Sequence, residues 1–108
     1  MMAAYVVAQM HVHDLEKYLA YASKVGATVG SHGGKIVAAN EADVREGEPP
    51  FTRTIIGEFP TLEAGREWYE SEEYRAILPL RLESTTGTLF FVEGYAMPPT
   101  PESKRDQS

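Results

Sequence analysis

Cysteine is absent from this 108-residue chain. That excludes disulfides, thiolate metal centres and thiol nucleophiles, and an oxidising compartment is neither required nor ruled out. Basic charge is scarce: ten Lys and Arg stand against sixteen Asp and Glu, a formal net charge of −6. The cations are scattered and form no stripe, which argues against a nucleic-acid partner, because phosphate binding needs a basic patch. No apolar run approaches the roughly 18 residues of a membrane span. The start, Met1-Met2-Ala3-Ala4-Tyr5, has no basic segment, so no signal peptide and a cytoplasmic, membrane-free setting are expected. A nucleophile elbow, a Ser/His/Asp order and internal repeats are missing as well. Gly30, Gly33 and Gly34 lack the G-x-G-x-x-G order and read as turn formers instead of a phosphate cradle. There are three histidines. His11 and His13 alternate onto one strand face, a metal-ligand spacing, but His13 sits beside a helix cap and reads as solvated. No metal and no cofactor are expected.

What is present suffices for one domain around one core. Residues 1–96 read as that domain. From Met97 the chain is Met-Pro-Pro-Thr-Pro followed by polar residues, which cannot pack a core, so 97–108 is expected to be a disordered tail.

Ala4 to Val12 is apolar with β-branched and aromatic members and reads as a strand. Asp14 is placed as an N-cap, and Leu15, Tyr18, Ala22, Val25 and Val29 follow at helical spacing until Gly30. Lys35 to Ala39 forms a second strand, Asn40 to Phe51 a long polar loop, and Arg53 to Phe59 a third strand. Pro60 stops that strand and Thr61 caps a helix with Leu62, Trp68 and Tyr69 inward, weakened by Gly65. Ser71 caps a further helix whose buried face is Tyr74, Ile77, Leu78 and Leu82; Pro79 is expected to kink it or end it early. Thr86-Gly87 turns the chain into a last strand, Thr88 to Tyr95. The order β-α-β-β-α-β, with the second helix in two pieces, predicts an α+β, ferredoxin-like plait with an antiparallel four-stranded sheet.

Strand alternation then assigns faces. Val6, Ala8, Met10 and Val12 suit the helix side, and Phe59 joins them. The opposite face receives Tyr5, Val7, Gln9, His11, Thr54, Ile56 and Glu58. Glu93 is expected to avoid the helix core, which sends Leu89, Phe91 and Tyr95 with it to that open face. An apolar face of this kind predicts a homodimer packed sheet to sheet around a cavity.

The run Arg53…Ile55-Ile56-Gly57-Glu58-Phe59-Pro60, then Trp68-Tyr69-Glu70-Ser71-Glu72-Glu73-Tyr74, then Pro79-Leu80-Arg81, resembles the domain-of-unknown-function family numbered 1330. So do Asp14…Tyr18, Gly33-Gly34, Glu46-Gly47 and Val92-Glu93-Gly94-Tyr95. The likeness covers nearly the whole folded region. It departs from the family at Asn40-Glu41-Ala42-Asp43-Val44, where a glycine-richer hairpin is usual. The resemblance implies the dimeric α+β barrel superfamily, which includes cofactor-free monooxygenases, muconolactone isomerase-like enzymes and haem-binding chlorite dismutase-like proteins. It implies a fold and a dimer but no reaction.

Two groups of residues could carry chemistry. His11, Glu58 and Glu93, with Gln9 beside them, converge inside the dimer chamber if their strands adjoin. An imidazole among carboxylates is an acid–base pair, with His11 or Glu58 the catalytic base; the same residues also suit a polar cluster that only fixes an interface. Arg53, Tyr69, Tyr74 and Arg81 occupy positions that match the resemblance. Guanidinium groups suit a carboxylate or enolate, and tyrosine hydroxyls donate to an oxyanion; equally, Tyr74 could be core and Arg81 could pair with Glu83. Arg53, Tyr69, Tyr74, Arg81, Glu93 and Gln9 are thus the substrate-binding candidates. The reading is a homodimeric, cofactor-independent enzyme doing proton transfer on a small anionic organic molecule. The alternatives are a non-catalytic ligand-binding or accessory module, and a haem protein ligated by His11 or His32.

Overall fold

Three side-chain caps divide the chain in the computed structural model, which describes residues 2–96. Asp14 accepts from the Lys17 amide at 3.2 Å and opens α1, Leu15–Gly30. Thr61 accepts from the Ala64 amide at 3.0 Å and opens α2, Leu62–Glu70. Ser71 accepts from the Tyr74 amide at 3.2 Å and opens α3, Glu72–Ser84. The strands are β1, Ala4–Val12; β2, Lys35–Glu41; β3, Arg53–Phe59; and β4, Thr85–Glu93. The expected tail, 97–108, lies outside the described residues.

The strands form one antiparallel sheet in the order β2-β3-β1-β4, with β1 between β3 and β4. This is the ferredoxin-like plait that the element order predicts, its second helix divided at Ser71. The helices cover one face. Val6, Ala8, Met10 and Phe59 from the sheet meet Tyr18, Tyr21, Val29, Trp68, Tyr74 and Leu78 from the helices. Trp68, Tyr74 and Phe59 are almost wholly buried; truncating a core aromatic of this kind to alanine costs about 3–5 kcal/mol. Among the described residues no helix is long and apolar enough to cross a membrane.

Four expectations are corrected. β4 pairs with β1 as Ala4↔Glu93, Val6↔Phe91 and Ala8↔Leu89, so Glu93, Phe91 and Leu89 lie on the helix side. Phe91 packs on Trp68 at 6.5 Å between ring centroids, and Phe90 and Val92 take the open face. Glu93 stands at the strand's exposed end, where its charge does not decide the phase. On α3, Arg81 is buried and Leu82 is 59 % exposed. The helix does not end early but runs past Pro79 to Ser84, although the proline nitrogen has no hydrogen to donate. Finally, Thr86 and Gly87 form no turn: β4 starts at Thr85, and Gly87 lies so close to β1 that a Cβ there would collide with the Gln9 carbonyl oxygen.

Candidate functional site

Val6, Ala8 and Met10, the helix-facing residues of β1, help to line a cavity of about 250 Å³ between the sheet and α1. Most of its wall is apolar: Val25 and Val29 from α1, Ile36 and Ala39 from β2, and Ile55 from β3. The charged side chains that reach it are Arg53 and Arg81, joined by the phenols of Tyr18 and Tyr21; no carboxylate or imidazole lines it. The space therefore suits a small apolar body carrying an acceptor or an anion.

The polar end is built by α1 and α3 together. Tyr21 and Tyr74 are both buried, and their hydroxyls share a hydrogen bond of 2.9 Å. The Arg81 Nε donates to the Tyr74 hydroxyl at 3.3 Å. Arg81 is 6 % exposed, yet its two terminal nitrogens have no hydrogen bond or ion pair among the described residues. Glu83, the acid expected beside it, pairs instead with Lys17 at 3.0 Å. A guanidinium offers five donors in a fixed fork, so most of this one's capacity is unused.

Either phenol can be the donor in the Tyr21–Tyr74 bond. Tyr74 already accepts from Arg81. If it donates its own proton to Tyr21, the Tyr21 hydroxyl hydrogen is released toward the cavity it lines. Burial, reinforced by Tyr74 alongside, pushes the Tyr21 phenol above its ordinary range, so it stays a neutral donor at neutral pH. Burial pulls the Arg81 guanidinium down, but Tyr74, by attraction and hydrogen bond, outweighs it and the net direction is up. The end of the cavity thus presents one fixed cation beside a neutral phenol.

A second, outer chamber of about 390 Å³ adjoins this cavity. Met10, Tyr18, Leu19 and Arg53 line both. His11, Val12, Leu15, Glu41 and the stretch Pro50 to Thr52 complete its wall. The Glu41 carboxylate accepts from the Thr52 hydroxyl at 2.7 Å, and the Ala42 amide donates to the Thr52 carbonyl at 2.8 Å, which ties the two ends of the loop over the mouth.

Of the predicted site residues, Arg53, Tyr74 and Arg81 come together on the helix side. Tyr69 packs behind them, 5.5 Å from Tyr74 between ring centroids, with the Arg75 guanidinium 5.3 Å over its face. His11, Glu58 and Glu93 do not converge. Glu58 lies across from Tyr5, six residues up β1 from His11, a separation of roughly 20 Å at strand rise. Glu93 is on the other face of the sheet from Glu58. Gln9 is on the open face and donates to Thr54 at 3.4 Å. The sequence predicts a chamber between two sheets; this cavity is a different space, under the helices of one chain. Sequence reasoning missed Tyr21, whose signal was its place three residues after Tyr18 on the face of α1 that turns inward.

A model of the family described as "Domain of unknown function (DUF1330)" matches residues 3–95. Solved structures share the fold. One is a protein of unknown function, RPA0582, from Rhodopseudomonas palustris: 17% identity, TM-score 0.69, with 91% of this chain and 85% of that one covered. Another is SnoaB, a cofactor-independent oxygenase from Streptomyces nogalater: 14% identity, TM-score 0.64, with 94% and 100% covered. A third is a dimeric ferredoxin-like protein of unknown function from Thermobifida fusca: 17% identity, TM-score 0.58, with 89% and 92% covered. No curated protein matches the sequence.

Proposed function

This chain belongs to the DUF1330 family of unknown function, and from that premise we propose that it is a homodimeric, cofactor-independent enzyme that holds a small phenolic or enolisable molecule as its oxyanion. One observation carries the reading: the buried Arg81 fork, partnered among the described residues only through Nε, at the end of an apolar cavity.

The chemistry follows from electrostatics. A cation beside an acidic hydroxyl favours its ionised form, and a dry wall strengthens the interaction. A phenol or enol entering the cavity loses its proton to water at the mouth. Arg81 and Tyr21 hold the resulting oxyanion, as an oxyanion hole does. For a β,γ-unsaturated ketone the same pair stabilises the dienolate formed when the α-carbon gives its proton to water at the mouth, and return of a proton from that water to the γ-carbon completes an isomerisation. At about 250 Å³ the cavity is smaller than the roughly 300–1,000 Å³ of drug-sized sites, which points to a compact ligand. That SnoaB is a cofactor-independent oxygenase on the same fold supports the enzymatic form of this reading. The absence of carboxylate and imidazole from the inner wall favours a second reading, a binding module that ionises its ligand without turning it over.

The test is spectroscopic. A phenol such as 2-naphthol shifts its absorbance on ionisation, and its bound fraction should ionise at a lower pH than the free molecule. Arg81→Met should abolish that shift. A parent protein that binds such phenols with no change in their ionisation would sink the proposal. Exchange of solvent deuterium into the α-position of a bound 1,3-diketone separates the enzyme from the binding module.

A further inference from the structure

Arg53 is the second cation of the site, and its placement differs from that of Arg81. It lies opposite Met10 in the β1–β3 register and so shares the helix-facing side of the sheet. It lines both the inner cavity and the outer chamber, at the seam between them. It is half-buried, and among the described residues no hydrogen bond or ion pair engages its guanidinium. The nearest acid in register is Glu41 on β2, whose carboxylate turns to the Thr52 hydroxyl instead. A chain of net charge −6 has acids to spare for neutralising a structural arginine. None does so here.

We infer that the ligand carries two acidic groups: a phenol or enol hydroxyl at Arg81 and Tyr21, and a carboxylate at Arg53 where the two chambers meet. The substrate class is a compact hydroxy- or keto-acid with a flat apolar middle. The inference rests on the oxyanion reading above and adds to it the group at the other end. Arg53 on β3 and Arg81 on α3 line one apolar cavity, and Arg53 alone of the two also lines the outer chamber, so a molecule held by both points its carboxylate toward that chamber and its reacting oxygen inside. Arg53 then decides which phenols are substrates, and Arg81 decides what happens to them.

The experiment compares matched probes by calorimetry at neutral pH: phenol with 4-hydroxybenzoate, and 2-naphthol with 6-hydroxy-2-naphthoate. Two ring lengths are used so that the outcome does not hang on one spacing. The parent should bind at least one hydroxy acid roughly tenfold more tightly than its phenol, the size of one charge-assisted pair. Arg53→Gln should cancel that gain, weakening the hydroxy acid about tenfold more than its phenol; Arg81→Met should weaken every probe. If Arg53→Gln does not fold, Arg53→Lys, which keeps the charge but not the fork, should retain only part of the gain. Phenols that bind through Arg81 while the carboxylate adds nothing, or a gain that survives in Arg53→Gln, overturn this inference and leave the oxyanion reading standing. Failure of all four probes to bind overturns both.

Discussion

At the scale of single residues, the pair Tyr21–Tyr74 ties α1 to α3 through one hydrogen bond in the core. Tyr21→Phe removes a buried hydroxyl without leaving Arg81 alone, because Tyr74 still accepts from it. The expected loss is about 1 kcal/mol at neutral pH. Its pH dependence has a definite sign. The folded Tyr21 phenol sits above its ordinary value, chiefly through burial. Its stabilisation is therefore fully present below the unfolded tyrosine pKa of about 10 and is lost as pH rises toward the folded value, because the unfolded chain releases that proton first. Chemical denaturation of parent and Tyr21→Phe should show a gap that closes as pH climbs through the ordinary tyrosine range. A gap that stays constant or widens would mean the phenol is not held neutral by its surroundings.

At the scale of elements, two helical glycines predict opposite outcomes for the same substitution. In α1, Gly26 has nothing within 4 Å of where a Cβ would stand, so Gly26→Ala should stabilise by roughly 0.5–1 kcal/mol through helix propensity. In α2, Gly65 is buried, and a Cβ there would stand 2.8 Å from the edge of the Phe91 ring. Gly65→Ala should cost about 1–3 kcal/mol, because a packed core pays for an added methyl by displacing a ring. Thermal melts of the two variants should move in opposite directions. The same contact explains what was legible in the sequence. Asp14, Thr61 and Ser71 announced their helices because a cap is local chemistry, written within three residues. The phase of β4 was not local. Leu89-Phe90-Phe91-Val92 offers no alternation to read, and only the fit of Phe91 under Gly65 and against Trp68 chooses a face. The burial of Arg81 was hidden for a related reason. The helical pattern Tyr74, Ile77, Leu78, Arg81 points it inward, but a charge is seldom so fully buried, and Leu82 looked the better core residue. Arg53, Tyr74 and Arg81, which the sequence singles out, lie together under the helices, whereas Tyr21 drew no notice there.

At the scale of the whole molecule, the corrected faces separate assembly from chemistry. The side of the sheet away from the helices carries Tyr5, Val7 and Ile56, with Phe90 and Val92 at 44% and 49% exposure. A contiguous apolar surface on an otherwise acidic chain is the kind that a second copy covers, and a structure with this fold is described as dimeric. The protein should therefore scatter light as twice 12.0 kDa. In a two-fold interface a substituted residue recurs in the partner's copy of the same patch, so Val92→Asp places two carboxylates in it without counter-charge. Desolvating unpaired charges costs several kcal/mol, enough to return the variant to monomer. The inner cavity lies on the opposite side of the same sheet, walled by α1 and the even-numbered residues of β1. A monomeric Val92→Asp should then bind 2-naphthol as tightly as the parent. Light scattering and calorimetry on one sample decide the matter: loss of binding together with loss of the dimer would show that the partner completes the site, whereas a parent that scatters at 12.0 kDa would remove the dimer and leave the cavity untouched.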